Sequence, residues 1–281
     1  MIEAKQAPAP NSKVSPRADP QAEIDERGIA LESVGIDGVI YPALIAGWEK
    51  DASIEQRAQA TFALSVSLTA ERRGIHMSRL IETLHSWQKP LSPANLQTFL
   101  SALRLKQQAE SAEMSCHFTW FINRSAPQTE LPAWQGIETT WHASQSANGD
   151  TLTGYTLRIP VTTLCPCSRE ISDYGAHSQR SWISAKIEWP DAAQVVPPAE
   201  IFDKLQHAGS APIYPLLKRA DERHVTMTAY ENPAFVEDTA RRVALALRSD
   251  PRIHSFQIHI RNEESIHTHD AVARVSSQTK T

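Results

Sequence analysis

Residues 160 to 180 read PVTTLCPCSREISDYGAHSQR, and they hold two of the chain's three cysteines, Cys165 and Cys167. His177 follows Cys165 by twelve residues. A thiolate and an imidazole that converge suit zinc or a similar divalent metal. A closed structural zinc site takes four such ligands, and this stretch offers at most three. An open position for water is what a catalytic metal requires. Packing is the competing reading, because two cysteines one residue apart serve equally well as small buried hydrophobes. Their spacing disfavours a disulfide between them. On this stretch alone the two readings stand level.

Three further segments carry chemistry-bearing residues. The first runs Tyr214-Pro-Leu-Leu-Lys218-Arg219-Ala-Asp221-Glu222-Arg223-His224. Its plain reading is a solvated charged loop. The second is Asn232-Pro-Ala-Phe-Val-Glu237-Asp238, where acids in a helix's first turn complement the macrodipole. The third is Glu263-Glu264-Ser-Ile-His267-Thr-His269-Asp270. An H-x-H pair on a strand puts both imidazoles on one face. Two surface histidines near a strand end is the alternative. Cys116, the remaining cysteine, reads as core.

The elements that must position these residues follow from periodicity. Strand patterns occupy 29–42, with a turn at Asp37-Gly38, then 60–69, 114–123, 136–143 and 151–162. The Asn148-Gly149-Asp150 turn joins the last two as a hairpin. Helical spacing marks 78–87, with Ser78 as N-cap, and 92–108, with Pro93 at its first position. The second half repeats this grammar. Strands are expected at 182–189, 253–261 and 271–275, and helices at 198–207 and 233–248. Two successive strand–strand–helix–helix–strand–strand units describe this order.

Composition bounds the function class. The chain has 281 residues, a hydrophobic fraction of 41% and a formal net charge of −4. Basic residues are dispersed, which argues against a nucleic-acid binder but leaves room for a basic pocket. No apolar run is long enough to span a membrane. Three cysteines suit a reducing cytoplasm better than a disulfide framework. The first 28 residues, rich in Pro, Ala and charge, lack a signal-peptide core and read as a disordered tail.

Together the motifs resemble the type IB GTP cyclohydrolases, from about residue 28 to residue 277. The resemblance rests on Val34-Gly35-Ile36, on Arg73-Gly-Ile-His-Met-Ser-Arg79, and on the segment from Cys165 to Arg180. It rests equally on Leu217-Lys-Arg-Ala-Asp-Glu222, Phe235-Val-Glu-Asp238 and Ser265-Ile-His-Thr-His-Asp270. One departure is Ala220, where the family usually carries proline. The resemblance implies an α+β tunnelling fold, with two tandem modules of antiparallel sheet plus two helices, over 29–162 and 163–281. It implies assembly into a barrel-like homo-oligomer, a homotetramer in this family.

The implied reaction converts GTP and water to 7,8-dihydroneopterin triphosphate and formate, the opening step of folate synthesis. By matching motifs, Cys165, His177 and Glu222 are the expected ligands of a divalent Zn, Mn or Fe ion, with Cys165 able to act beside the metal instead. His267 and His269 are the expected acid–base pair, because imidazole exchanges protons near neutral pH. Glu237 is expected as a buried acid that pairs with the guanine N1–H and 2-amino group. Lys218, Arg219 and Arg180 are expected to hold the triphosphate, with Arg73 and Arg79 available from a neighbouring module. Two other readings compete. A tunnelling-fold nitrile reductase would need a cysteine nucleophile and a nicotinamide cofactor. A non-catalytic interaction module would use the metal only to staple its fold.

Overall fold

The computed structural model describes residues 19–277. Most of the expected tail, residues 1–18, therefore lies outside the described residues. Its remaining part makes contacts. Pro20–Ala22 form one turn of 3-10 helix, and Ile24 bridges Arg72 in an antiparallel pair.

The chain is α+β, with antiparallel pairing throughout one sheet. The first half runs β1 (Leu31–Ala46), β2 (Glu55–Leu68), α1 (Met77–Ser86), α2 (Pro93–Gln107), β3 (Ala112–Ser125) and β4 (Pro132–Gln145). The second half runs β5 (Thr151–Leu164), α3 (Pro166–Ile171), β6 (Ser178–Trp189), α4 (Pro198–Leu205), β7 (Ala211–Pro212), α5 (Arg219–Glu231), α6 (Val236–Arg248), β8 (Ser255–Asn262) and β9 (Ala271–Ser276). The order across the sheet is β1-β2-β3-β4-β5-β6-β8-β9, with β7 pairing β5 off this path. Both halves place helices between two pairs of strands. The boundary expected at 162–163 falls inside β5, and one sheet crosses it.

Strand alternation creates two unlike faces. Phe62, Phe118, Trp141, Tyr155, Ile183 and Ile258 point to the helices and are buried. Four of the strands share an aromatic ridge there. Phe118, Trp141, Tyr155 and Trp189 follow one another at centroid distances of 5.4, 5.8 and 5.4 Å. Their polar atoms are mostly met: the Tyr155 hydroxyl donates to Val196 O at 2.8 Å, and Trp189 Nε1 donates to Arg252 O at 2.7 Å. Cys116 is fully buried among these residues, and burial pushes its thiol far above the ordinary range. The opposite face is polar, carrying Ser115, His142, Lys186 and Glu188 around a broad concavity.

Local departures from the expected elements have physical causes. Asp37-Gly38 is not a turn but a bulge inside β1, where Gly38 adopts φ 71° and the pairing with β2 shifts. Gly35 of the Val-Gly-Ile motif lies so close to β2 that a Cβ would sit 1.9 Å from Leu64 O. α1 begins at Met77, with His76 rather than Ser78 at its N-cap. α2 starts where Ser92 and Pro93 place it, and Ser92 N is capped by Asn95 Oδ1 at 3.1 Å. The charged 214–224 segment is not a solvated loop after Lys218, for it opens α5.

Candidate active site

Antiparallel register brings Cys165 and His177 together. β5 and β6 pair Thr163 with Gln179 and Leu164 with Ser178. The ladder continues for one more step, with Cys165 N donating to His177 O at 3.1 Å. Cys165 then caps the N-terminus of α3, its Sγ facing Ser168 N at 3.5 Å. Ser168 serves both residues, because its Oγ accepts from His177 N at 3.3 Å. The reading of both cysteines as core packing is overturned: Cys165 is half-buried and Cys167 exposed.

His177 also gathers neighbours. Its Nδ1 lies 2.8 Å from Gln179 Oε1 and 3.5 Å from Ser265 Oγ. Ser265 belongs to the loop between β8 and β9, so the His267 and His269 segment reaches the same end of the sheet. These two histidines sit on that loop rather than on a strand, and both are exposed. Their rings nevertheless stack at 5.2 Å with 19° between planes. An ion pair of Arg261 with Asp270 at 2.6 Å closes the loop's base.

The first turn of α5 is fixed by a buried acid. Asp221 has no exposed surface. Its carboxylate accepts from Gln128 N at 2.7 Å, Thr129 N at 2.9 Å, Thr129 Oγ1 at 2.7 Å and Lys218 N at 2.9 Å. Desolvation opposes ionisation here, but the four bonds outweigh it and hold the carboxyl well below the usual range. Lys218, Arg219 and Glu222 are left exposed around this helix end. Glu222 is not drawn in beside Cys165 and His177. Among the described residues, no three His, Cys, Asp or Glu side chains converge on one point. The reason is local, since Asp221 ties this turn to the β3–β4 connection and the next side chain faces outward.

Other expected site residues lie apart. Glu237 is exposed in this chain rather than buried, because the apolar stripe of α6 turns Val236, Ala240 and Val243 inward instead. It lines a cavity between α6 and β9 with Arg241, Arg248 and Arg274. Arg180 alternates to the polar face of β6, away from Gln179, with its guanidinium 5.9 Å from the Trp182 ring. Arg73 pairs with Glu23 of its own chain, and His76 Nε2 lies 3.2 Å from Asp19 Oδ2.

A family model described as type I GTP cyclohydrolase folE2 matches residues 18–273. The chain belongs to this family. A GTP cyclohydrolase FolE2 from Kosmotoga olearia is 35% identical over 255 residues, covering 91% of this chain and 96% of the relative. One from Exiguobacterium sibiricum is 40% identical over 253 residues, covering 88% and 82%. Among solved structures, a highly active mutant of Bacillus sp. TB-90 urate oxidase aligns with TM-score 0.49 at 8% identity, over 89% of this chain and all of that one. A uricase from Arthrobacter globiformis aligns with TM-score 0.48 at 9% identity, covering 89% and 94%.

The family match spans every segment of the candidate site described above. The motifs left a further set of residues unremarked. On the buried face, β5, β6 and β8 end in Thr163, in Gln179 and Ser181, and in Asn262, where apolar residues stand farther along. Ser181 and Asn262 are direct cross-strand partners, and their Oγ and Oδ1 find no protein partner. The core pattern thus turns polar at the end of the sheet that carries Cys165 and His177. That break in alternation is visible in the sequence once the strands are known.

The donors suit a divalent metal. Cys165 offers a soft, half-exposed sulfur, and His177 offers the ring nitrogen that is not directed at Gln179.

Proposed function

We propose that this FolE2 family member is a GTP cyclohydrolase that converts GTP and water to 7,8-dihydroneopterin triphosphate and formate, the step that opens folate synthesis. The observation that carries the reading is the family match over residues 18–273, which includes each segment of the site. The convergence of Cys165, His177 and the His267–His269 loop supports it.

In this reading Cys165 and His177 hold a divalent ion of Zn, Mn or Fe, with Glu222 supplying a carboxylate. Such an ion contributes Lewis acidity, which makes water nucleophilic near neutral pH. The chain's own groups do the rest. His267 and His269 carry protons between water and the purine nitrogens. Glu237 accepts the paired guanine N–H groups. Lys218 and Arg219, exposed at the N-terminus of α5, hold the triphosphate. Arg180 reaches the triphosphate from the polar face of the sheet.

The same reading makes the fold a tunnelling fold that closes into a homotetrameric barrel. Its supports are the repeated element order, the polar uncovered face, and β1 and β9, which each pair on one side only among the described residues. Assembly would bring Glu237 of one copy under a neighbour and bury it. The enzyme would work in the cytoplasm; no described helix is long and apolar enough to cross a membrane.

Incubation of metal-reconstituted protein with GTP tests the activity. Oxidation of the mixture should yield a fluorescent pterin, with formate released in equal amount. Protein that binds GTP yet releases neither product under any of the three metals would overturn the reading.

A further inference from the structure

We propose that Gln179 is a positioning residue for His177, with Thr163 holding the far end of its amide in place. The inference rests on the metal reading above and deepens it. Gln179 interrupts the buried face of β6, which continues as Ser181, Ile183, Ala185 and Ile187. It is 8% exposed, and Thr163, its direct cross-strand partner, is fully buried. A buried amide must bond at both ends or carry the cost of desolvation. Here both ends are used. Gln179 Nε2 donates to Thr163 Oγ1 at 3.1 Å, and Gln179 Oε1 lies 2.8 Å from His177 Nδ1.

The amide oxygen can only accept, so the proton of a neutral His177 sits on Nδ1. Nε2 then keeps its lone pair and points away from Gln179, as a metal ligand must. If the amide turned over, its NH₂ would face His177 Nδ1 and favour the opposite tautomer, with Nε2 protonated and closed to a metal. Thr163 holds the amide in place, and its hydroxyl, which both donates and accepts, serves either sense. Ser265 Oγ does not compete, because its 3.5 Å contact to Nδ1 is at the limit of a hydrogen bond. Register fixes all three residues: the step that pairs Thr163 with Gln179 also puts Cys165 beside His177.

Three variants test this in the full-length protein: Gln179→Leu, which removes the acceptor, Gln179→Glu, which retains one, and Thr163→Val, which keeps the shape but frees the amide. Competition with a chromophoric chelator measures Zn²⁺ and Mn²⁺ affinity. Long-range ¹⁵N NMR of the metal-free protein reads the His177 tautomer, and its melting temperature reports folding. Gln179→Leu should bind metal about 10- to 100-fold more weakly, the usual effect of losing a partner behind a ligating histidine. Gln179→Glu should restore the affinity, and Thr163→Val, which leaves the amide loosely held, should fall between the two. Gln179→Leu with parental affinity and an unchanged Nδ1–H tautomer would overturn the inference. If Gln179→Leu does not fold, the parent decides: an Nε2–H tautomer of His177 in the metal-free protein would sink the proposal. Should His177→Ala leave the affinity of the protein unchanged, the metal reading fails. The tautomer measurement then decides the role of Gln179 by itself.

Discussion

Asp221 and Thr129 clamp the first turn of α5 to the β3–β4 connection, with one carboxylate oxygen on the Thr129 amide at 2.9 Å and the other on its hydroxyl at 2.7 Å. The two residues lie on opposite halves of the chain. The contact therefore ties the helix end that presents Lys218, Arg219 and Glu222 to the first half of the chain. In the proposed site this turn carries cations and a carboxylate, and exposed long side chains cannot fix it by themselves.

Asp221→Asn should lower the melting temperature and raise the KM for GTP more than it lowers kcat, because the turn is loosened rather than removed. The amide has one acceptor oxygen where the carboxylate has two, so it cannot satisfy all four donors. The sign with pH follows from the depressed folded-state pKa. Its stabilisation is present above the unfolded carboxylate value and is lost as pH falls through the folded one. Thermal melts of both proteins across the acid range check this. A gap that stays constant down to strongly acid pH would show that charge is not what holds the turn.

Cys165→Ala and His177→Ala should each bring bound metal well below one ion per subunit and reduce GTP turnover to background. Their backbones pair at 3.1 Å and share Ser168, so neither substitution should disturb the strand ladder that carries the other. Metal analysis after dialysis, beside circular dichroism, separates lost ligation from lost fold. Full metal occupancy in both variants would remove them from the ligand set.

Most strands and helices were legible because the core face alternates cleanly. β6 reads as WISAKIEW and α6 as an amphipathic stripe, and both appear where expected. The site was legible as motifs but not as geometry. Cys165 and His177 meet because β5 and β6 pair in one register, and pairing between strands separated by a helix is not written in either strand alone. The exposure of Glu222 and Glu237 has another cause. Both sit in the first turns of helices whose buried stripes point elsewhere, so a single chain leaves them in solvent. Local charge likewise hid α5, because its sequence RADERHVTMTAYE carries few apolar residues to mark a period.

His142 gives a pH dependence of the opposite origin. It lies on the polar face with its Nε2 2.8 Å from Thr156 Oγ1. Burial, reinforced by the charge of Lys186 and opposed by Glu188, pushes its pKa down from 6.5 to about 4. The folded state therefore refuses a proton that the unfolded state accepts. Stability should fall as pH drops from 6.5 towards 4, by at most roughly 1.4 kcal/mol per pH unit, and should level off below. His142→Gln should flatten that part of the profile. Denaturant unfolding of parent and variant at several pH values measures the difference, and identical slopes would show that His142 titrates normally.

Glu237→Gln should weaken GTP binding while leaving metal content unchanged. Glu237 and Asp238 are adjacent acids in the first turn of α6, but their carboxylates are not equivalent. Asp238 is committed to its own helix, with Oδ2 accepting from Phe235 N at 3.1 Å and Oδ1 3.4 Å from Arg241 Nη1. Glu237 has no hydrogen bond or ion pair among the described residues, so its two oxygens remain available to paired N–H donors. The amide keeps the size and loses the charge and one accepting face, which misaligns one of two bonds to guanine. Loss of a charge-assisted bond costs about 1.5–3 kcal/mol, roughly tenfold to a hundredfold in affinity. The substitution should barely alter the melting temperature, because glutamine keeps the shape of Glu237 and no hydrogen bond or ion pair within the chain is lost. Calorimetric titration with GTP checks the affinity, and the same titration with inosine triphosphate, which lacks the 2-amino group, checks the cause. The parent should discriminate between the two nucleotides, and the variant should discriminate less. Equal GTP affinity in parent and variant would move the guanine anchor away from α6.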